Sequence, residues 1–247
     1  MHKLILFFFL IFSSNLYSQG ILSVERLSVG GNFNTGNSES FQITSKATAM
    51  YENKESKNGI IFSPDYFILY TGNNTEFIKK SEDFRADFFG WKDLSKGYSI
   101  IAFSDIEHSY AKKIDLRVAG GIGIKKVINF KNLKSSTSIA PLYDEMFIRG
   151  SRYSSTRISL RQSVSFTILD VNVSGMLLYQ PSIISSSDLN LSDNTNSALN
   201  LEVSKKFSQK ISLGIQYDSW YSSLPSIINN NVNRLDQRVS FSIIYRR

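Results

Sequence analysis

The amino-acid sequence predicts an all-β protein, a closed antiparallel transmembrane β-barrel of about twelve strands. Three observations predict this fold. A short apolar segment at the N-terminus is typical of an export signal, and the rest of the chain alternates apolar and polar residues over about ten positions at a time. After that first segment, no stretch reaches the roughly 20 apolar residues that a membrane helix needs. A closed barrel is the other structure that can span a bilayer, because it pairs every backbone hydrogen bond.

The first segment predicts a secretory signal peptide. Lys3 precedes nine apolar residues at positions 4–12, a small and polar stretch follows at residues 13–15, and residues 16–18 supply a cleavage site before Gln19. Such a run is too short to span a bilayer as a helix, which needs roughly 20 residues. We therefore expect residues 1–18 to be a cleaved signal peptide and residues 19–247 to form one outer-membrane β-barrel domain of a Gram-negative bacterium. The alternative is an uncleaved membrane anchor.

Composition narrows the class of protein. The chain has 247 residues, no Cys and a formal net charge of +7. This length suits one large all-β domain, and the lack of Cys excludes disulfides and thiolate metal sites. A basic excess can indicate nucleic-acid binding, but export favours anionic headgroups instead. We expect the partners to be outer-membrane lipid and lipopolysaccharide, with the barrel-assembly machinery during insertion and no nucleic acid.

The N-terminal part of the mature chain contains five segments in which side chains alternate between two faces, as they do on a strand. The segments are rich in Ser, Thr, Val, Ile, Phe and Tyr, and turn residues recur between them. In the fourth segment Asp83, Arg85 and Asp87 share one face. The five predicted strands are residues 27–34, 41–51, 60–70, 82–91 and 98–110.

Two central segments show the clearest alternation. Residues 114–125 and residues 155–167 each place apolar side chains on one face and polar or charged side chains on the other. In the second segment Arg157 and Arg161 lie on the polar face. Both segments are therefore predicted strands.

Five further segments complete the predicted barrel. In residues 136–147 the alternation is blurred, and Pro141 removes a backbone donor, but we retain the segment as a strand. The others alternate as the earlier segments do. They are residues 171–179, 198–207, 211–218 and 238–245.

Alternation alone also describes a soluble lipocalin-like barrel, whose apolar face points inward. Many of the segments have ten or more residues, whereas strands of globular sheets average ~5 to 6. The polar faces carry both acidic and basic residues, which is compatible with a water-filled lumen. Aromatic residues lie near segment ends, where the membrane interfaces favour them. These aromatic residues are Phe33, Phe41, Tyr51, Tyr70, Trp91, Tyr110, Tyr179, Tyr221 and Tyr245.

The lengths of the connections predict which end of the barrel faces outside. With an even number of strands and both termini in the periplasm, the odd-numbered connections are external. The three longest, at residues 71–80, 181–196 and 222–235, are all odd-numbered, whereas the even-numbered ones are tight. Long external loops and short periplasmic turns are typical of outer-membrane barrels.

Four stretches of the mature chain carry a family resemblance: the hairpin at residues 31–38, the glycine-rich residues 120–123, residues 140–145 and residues 155–161. Together they resemble the outer-membrane family labelled salt-induced outer membrane protein, or domain of unknown function 481. The resemblance covers most of the mature chain and implies a bacterial outer-membrane barrel, with no implied activity. One departure is that Arg246 and Arg247 follow Tyr245, where such barrels usually end on an aromatic residue.

The sequence contains little recognisable chemistry. His108 is the single His after the signal segment, and on a strand it points away from Asp105 and Glu107. We therefore expect no catalytic residues, no metal site and no cofactor. We expect the charged residues of the polar faces to line the lumen. They are Asp83, Arg85, Asp87, Asp105, Glu107, Asp115, Arg117, Arg157 and Arg161.

The function expected from the sequence is a passive, ligand-binding or narrow-channel barrel that is not an enzyme. Two alternatives stay open. A barrel enzyme requires His108 in a cleft beside a nucleophile. A soluble periplasmic carrier requires the apolar faces inside.

Overall fold

The computed structural model describes residues 21–34, 39–73, 76–110, 113–185, 194–208, 210–223 and 235–245. In this part of the chain, twelve antiparallel strands form a closed barrel, in which each strand pairs with the next and the last pairs with the first. The predicted fold class and strand number are confirmed. The predicted signal peptide, residues 1–18, lies outside the described residues. The strands are β1 (Ile21–Asn34), β2 (Glu39–Asn53), β3 (Asn58–Asn73), β4 (Glu76–Asp93), β5 (Tyr98–Ser109), β6 (Ile114–Phe130), β7 (Leu133–Ile148), β8 (Ser151–Ile168), β9 (Val171–Ser185), β10 (Thr195–Lys206), β11 (Ile211–Ser222) and β12 (Leu235–Tyr245).

The strands have 11 to 18 residues each, and all except β5 are longer than the alternation predicted. Every predicted segment falls in one strand, to within a residue at the ends. None of the described helical residues forms a helix long and apolar enough to cross a membrane. The segment blurred by Pro141 is the strand β7, which pairs with both of its neighbours.

Proline residues inside the strands coincide with gaps in one of their two ladders. Pro64 faces a gap towards β2, Pro141 a gap towards β6 and Pro181 a gap towards β8. Each proline stays paired on its other side, with Ala86, Ile158 and Thr195 respectively. Because proline cannot donate a backbone hydrogen bond, a local gap on one side lets it lie inside a closed barrel.

The connections agree only in part with the predicted lengths. The predicted loop at residues 71–80 is wrong, because β3 and β4 continue through it, pairing Thr71 with Ile78 and Asn73 with Glu76. The other two predicted loops shrink because β9 continues to Ser185, β10 begins at Thr195 and β11 continues to Ser222. Their centres lie outside the described residues.

The outer wall of the barrel is apolar and the inner wall is polar. On β11, exposed Ile211, Leu213 and Ile215 alternate with buried Ser212 and Gln216. Two contacts identify the buried face as the interior, because they join strands that are not neighbours. The guanidinium of one arginine on β4 lies over a ring on β11, and that of another on β8 lies over a ring on β5. This orientation is the reverse of what a soluble carrier needs.

Candidate functional site in the barrel interior

The interior has two ends. We call the end where β1 begins and β12 finishes the terminal end, and the opposite end the distal end. Just inside the distal end, Ile114, Met146 and Ile148 form a buried cluster with Tyr153 packed against it. Side chains of successive strand positions then line the lumen in layers toward the terminal end.

The next layer is centred on Arg117 of β6. Its Nε donates to Oδ1 of Asp144 at 2.9 Å, and its Nη1 lies 3.2 Å from Oε2 of Glu107. Oδ2 of Asp105 is 3.7 Å from the same Nη1. Three strands, β5, β6 and β7, are thereby joined by one guanidinium.

Arg157 of β8 extends this layer and is fully buried. Its Nε donates to Oδ2 of Asp144 at 2.9 Å, and its Nη1 donates to the carbonyl oxygens of Gln180 and Asn194 at 3.2 and 2.8 Å. Its Nη2 donates to the side-chain oxygen of Asn194. The carboxylate of Asp144 therefore binds two arginines, and its Oδ2 also accepts a hydrogen bond from Nη2 of Arg117 at 3.4 Å. A buried charge is stable when it is paired and hydrogen-bonded in this way.

Arg85 of β4 connects this layer to the opposite wall of the lumen. Its Nη2 lies 2.7 Å from Oδ2 of Asp105, and its Nε donates to Oδ1 of Asp87 at 3.1 Å. Its guanidinium carbon lies 4.1 Å from the ring centroid of Trp220 on β11. Cation–π contact with tryptophan is favourable when the cation is desolvated. We call Arg85, Asp105, Arg117, Asp144 and Arg157 the arginine network.

An apolar layer follows on the terminal side of the arginine network. Phe103, Ala119, Ala140 and Leu142 form a buried cluster, with Phe89 packed against it. Arg161 of β8 reaches towards this cluster, with its guanidinium carbon 6.0 Å from the centroid of the Phe103 ring. The interior thus changes from charged to aromatic along the barrel axis.

The structure brings most of the predicted lumen residues together. Arg85, Asp87, Asp105, Glu107, Arg117, Arg157 and Arg161 lie on the inner face, and Asp83, which pairs with the buried Ser109, belongs to the same face.

Asp115 is a correction to the predicted set. A register shift between Ile114 and Leu116 puts Ile114 on the inner face and leaves Asp115 exposed. Its Oδ2 accepts a hydrogen bond from the backbone N–H of Gly150 at 3.1 Å. A bulge adds one residue to a strand, so the inner and outer faces exchange on its far side. A prediction from strict alternation ignores the bulge and therefore assigns Asp115 to the wrong face.

Sequence reasoning missed Asp144, the carboxylate between the two arginines. The two residues beside it obscure the alternation, because Tyr143 and Glu145 are also polar. Counting in steps of two from Ala140 would have placed Asp144 on the inner face.

Trp91 is a second correction. Its position near a segment end predicts an interfacial girdle, but it pairs with the buried Ile101 and its ring lies against Gly59.

His108 lies on the outer face of β5. It pairs with Phe84, whose side chain is exposed, and its Nδ1 lies 2.9 Å from the carbonyl oxygen of Asp115. Asp105 and Glu107 face the interior and are separated from His108 by the barrel wall. Within the described ranges, no three His, Cys, Asp or Glu residues are grouped to hold a metal ion.

Comparisons with known proteins agree with this architecture. The family described as "Protein of unknown function, DUF481" matches residues 27–246. No curated protein matches the chain.

Solved structures with similar folds are outer-membrane barrels. The NanC porin has a TM-score of 0.53 at 11% identity, covering 90% of this chain and 99% of its own. An outer membrane channel from Pseudomonas putida F1 has a TM-score of 0.53 at 9% identity, covering 94% and 98%. The outer membrane phospholipase of Salmonella typhi has a TM-score of 0.51 at 9% identity, covering 94% and 93%. At these identities the similarity concerns the fold.

Proposed function

Since the chain belongs to the family of unknown function DUF481, whose description assigns no activity, we propose that it is an outer-membrane barrel with a cross-linked lumen. In this proposal the protein binds a ligand or conducts through a narrow path, and it is not a wide pore. The single observation that carries the proposal is the arginine network, which runs from β8 to β4 and contacts β11 across the lumen.

The number of strands supports a lumen that side chains can close. Barrels of about eight strands are filled by side chains, and barrels of about sixteen leave an aqueous channel. Twelve strands lie between these limits. In such a bore, paired arginines and carboxylates reach far enough to bridge the walls, as the contact between Arg85 and Trp220 does.

The experiment is a single-channel recording of the purified protein in planar bilayers. We expect low conductance for the wild type and larger conductance when Arg157 and Arg161 are both replaced by Ser. The control is Arg152→Ser, which removes an arginine from the outer face of the same strand. Heat-dependent gel migration establishes that each variant is folded. A wide, steady pore in the wild type contradicts the proposal.

The proposal also assigns an orientation, with the terminal end in the periplasm after removal of the signal peptide. Epitope tags inserted after Ser187 and after Asn230 should bind antibody on intact cells, whereas a tag at Lys96 should not. Labelling at Lys96 alone would reverse the orientation. The outward apolar side chains and the basic excess support contacts with lipid and lipopolysaccharide at this location.

The proposal gives His108 no catalytic role. Its ring is exposed on the outer wall, and its observed partner is a backbone carbonyl oxygen. Purified protein should therefore leave phospholipid vesicles unhydrolysed. Hydrolysis that is lost in His108→Ala would establish an enzyme instead.

A further inference from the structure

We propose that the terminal half of the lumen is a binding site for small organic anions that carry a planar apolar group, such as aromatic carboxylates. The site consists of Lys125 and Arg161 together with the rings of Phe89, Trp91 and Phe103. We call these residues the anion site. In one respect the inference rests on the proposed function, because the arginine network is taken to close the distal side of the anion site.

Solvent reaches the inner wall in the terminal half of β6, β7 and β8. On the distal side, inner residues such as Asp144, Arg157 and Ser159 are buried. On the terminal side, inner residues such as Ser138 and Ser163 are half-exposed. The same change occurs at the same level on three adjacent strands. A small molecule entering from the terminal end can therefore reach Lys125 and Arg161.

The two cations of the anion site differ from the arginines of the network in their partners. Among the described residues, neither Lys125 nor Arg161 has a carboxylate within ion-pair distance. Nζ of Lys125 lies 5.3 Å from the ring centroid of Phe89 and 5.8 Å from that of Trp91. Arg161 lies over Phe103 at 6.0 Å. Both cations are therefore held on aromatic rings with their charge available to an anion.

The strand register sets the spacing of the two cations. Lys125 pairs with Ser138, and Ser138 pairs with Arg161, so the three side chains lie in one row on the inner face. Two strand separations place the cations' backbones about 10 Å apart. A carboxylate between them is within reach of both flexible side chains, and the hydroxyl of Ser138 is a further donor at the centre of the row.

Nearby carboxylates leave the anion site with a positive balance. The charge of Asp87 is offset by its bond to Arg85. Asp93, which accepts a hydrogen bond from the Ser99 hydroxyl at 2.6 Å, keeps one negative charge near Lys125, and the cations of this region outnumber it. Lys134 lies on the same inner face as Lys125, because it continues the alternation of β7 from Ser138. Cations gathered in a low-dielectric cleft raise the local concentration of anions.

The aromatic rings account for the apolar part of the ligand. Phe89 and Trp91 stack with their centroids 6.3 Å apart and their planes 29° apart. A Cβ at Gly59 would lie 2.4 Å from two carbons of the Trp91 ring, so the glycine lets the ring lie flat against the wall. An offset aromatic ligand can stack on such a pair while its anionic group contacts Lys125.

The test uses tryptophan fluorescence of the full-length protein in detergent. The sequence has two tryptophans, Trp91 and Trp220, so Trp220→Phe leaves Trp91 as the emitter. The probes are 4-nitrobenzoate and its neutral analogue 4-nitrobenzyl alcohol, both of which quench tryptophan. We expect saturable quenching by 4-nitrobenzoate and affinity at least about tenfold lower for the alcohol.

Two lysine variants in the Trp220→Phe background provide a matched pair. Lys125→Gln should weaken binding of 4-nitrobenzoate by about tenfold or more. Lys126→Gln should leave it unchanged, because Lys126 is on the opposite face, with its Nζ 3.8 Å from the centroid of the Tyr98 ring. Equal quenching by both probes, or equal affinity in both lysine variants, overturns the proposal.

Bilayer recordings of the same preparations separate the anion site from the proposed function. Saturable, Lys125-dependent binding in a protein that conducts as a wide pore would disprove the closed lumen and leave the anion site standing. Low conductance without saturable binding would disprove the anion site and leave the closed lumen standing. Saturable binding with low conductance supports both.

Discussion

The distal and terminal halves of the barrel interior use the same kinds of cation in different ways. In the distal half, Arg117 and Arg157 share both oxygens of the buried Asp144. In the terminal half, Lys125 and Arg161 lie against aromatic rings. The role of each cation in the interior is therefore decided more by the group that it contacts than by its charge. A cation paired with a buried carboxylate stabilises the barrel wall, whereas a cation on an aromatic ring can still receive an anion.

The largest difference between the halves should appear in stability. Arg157→Ala leaves Asp144 with one arginine and removes three backbone or amide contacts, so we expect a loss of about 3–5 kcal/mol in the free energy of unfolding. Arg161→Ala removes a ring contact alone and should cost about 0.5–1 kcal/mol. Urea titration of folded protein in lipid vesicles, followed by tryptophan emission, measures both variants. Similar losses would mean that the two halves do not differ in this way.

Alternation in the sequence predicted the strands and most inner-facing charges because a strand repeats every two residues. Arg157 and Arg161 on β8 are the clearest example, since no bulge interrupts the strand between them. The same rule failed for Asp115, where a bulge exchanges the faces. It also gave no indication that Asp144 joins two arginines, because that depends on the register of β7 against both neighbours. The contact between Arg85 and Trp220 depends on barrel closure, which no local pattern contains.

At the boundary between the two halves, a larger side chain on the inner face of β6 should lower the free energy of unfolding. A Cβ at Gly123 would lie 2.2 Å from the carbonyl oxygen of Ile139 and 2.4 Å from the Cβ of Ala140. Gly123→Ala should therefore force β6 and β7 apart and cost about 1–3 kcal/mol. At Gly120 the nearest atom would be 3.4 Å away, so Gly120→Ala is the control and should cost little. The urea midpoints of the two variants should separate, and coincident midpoints would contradict the close approach of the strands.

The smallest expected effect concerns the turns at the two ends. At the terminal end, Leu169 and Asp170 form the two-residue connection between β8 and β9 with φ of 46° and 64°. At the distal end, the two-residue connection of Arg149 and Gly150 also has positive φ, but its second position is a glycine. Positive φ is sterically unfavourable for non-glycine residues, and among them Asn tolerates this conformation best.

Leu169→Asn should therefore raise the free energy of unfolding by about 0.5–1 kcal/mol, because Asn is favoured at the first position of such hairpin turns. The control is Leu94→Asn, which replaces another exposed leucine in a terminal-end turn without positive φ. This control also accounts for any contact of an exposed leucine with lipid. The gain should appear as a higher urea midpoint for Leu169→Asn alone. If both variants shift the midpoint equally, backbone strain at Leu169 is not the cause, and the terminal-end turn would be as relaxed as the distal one.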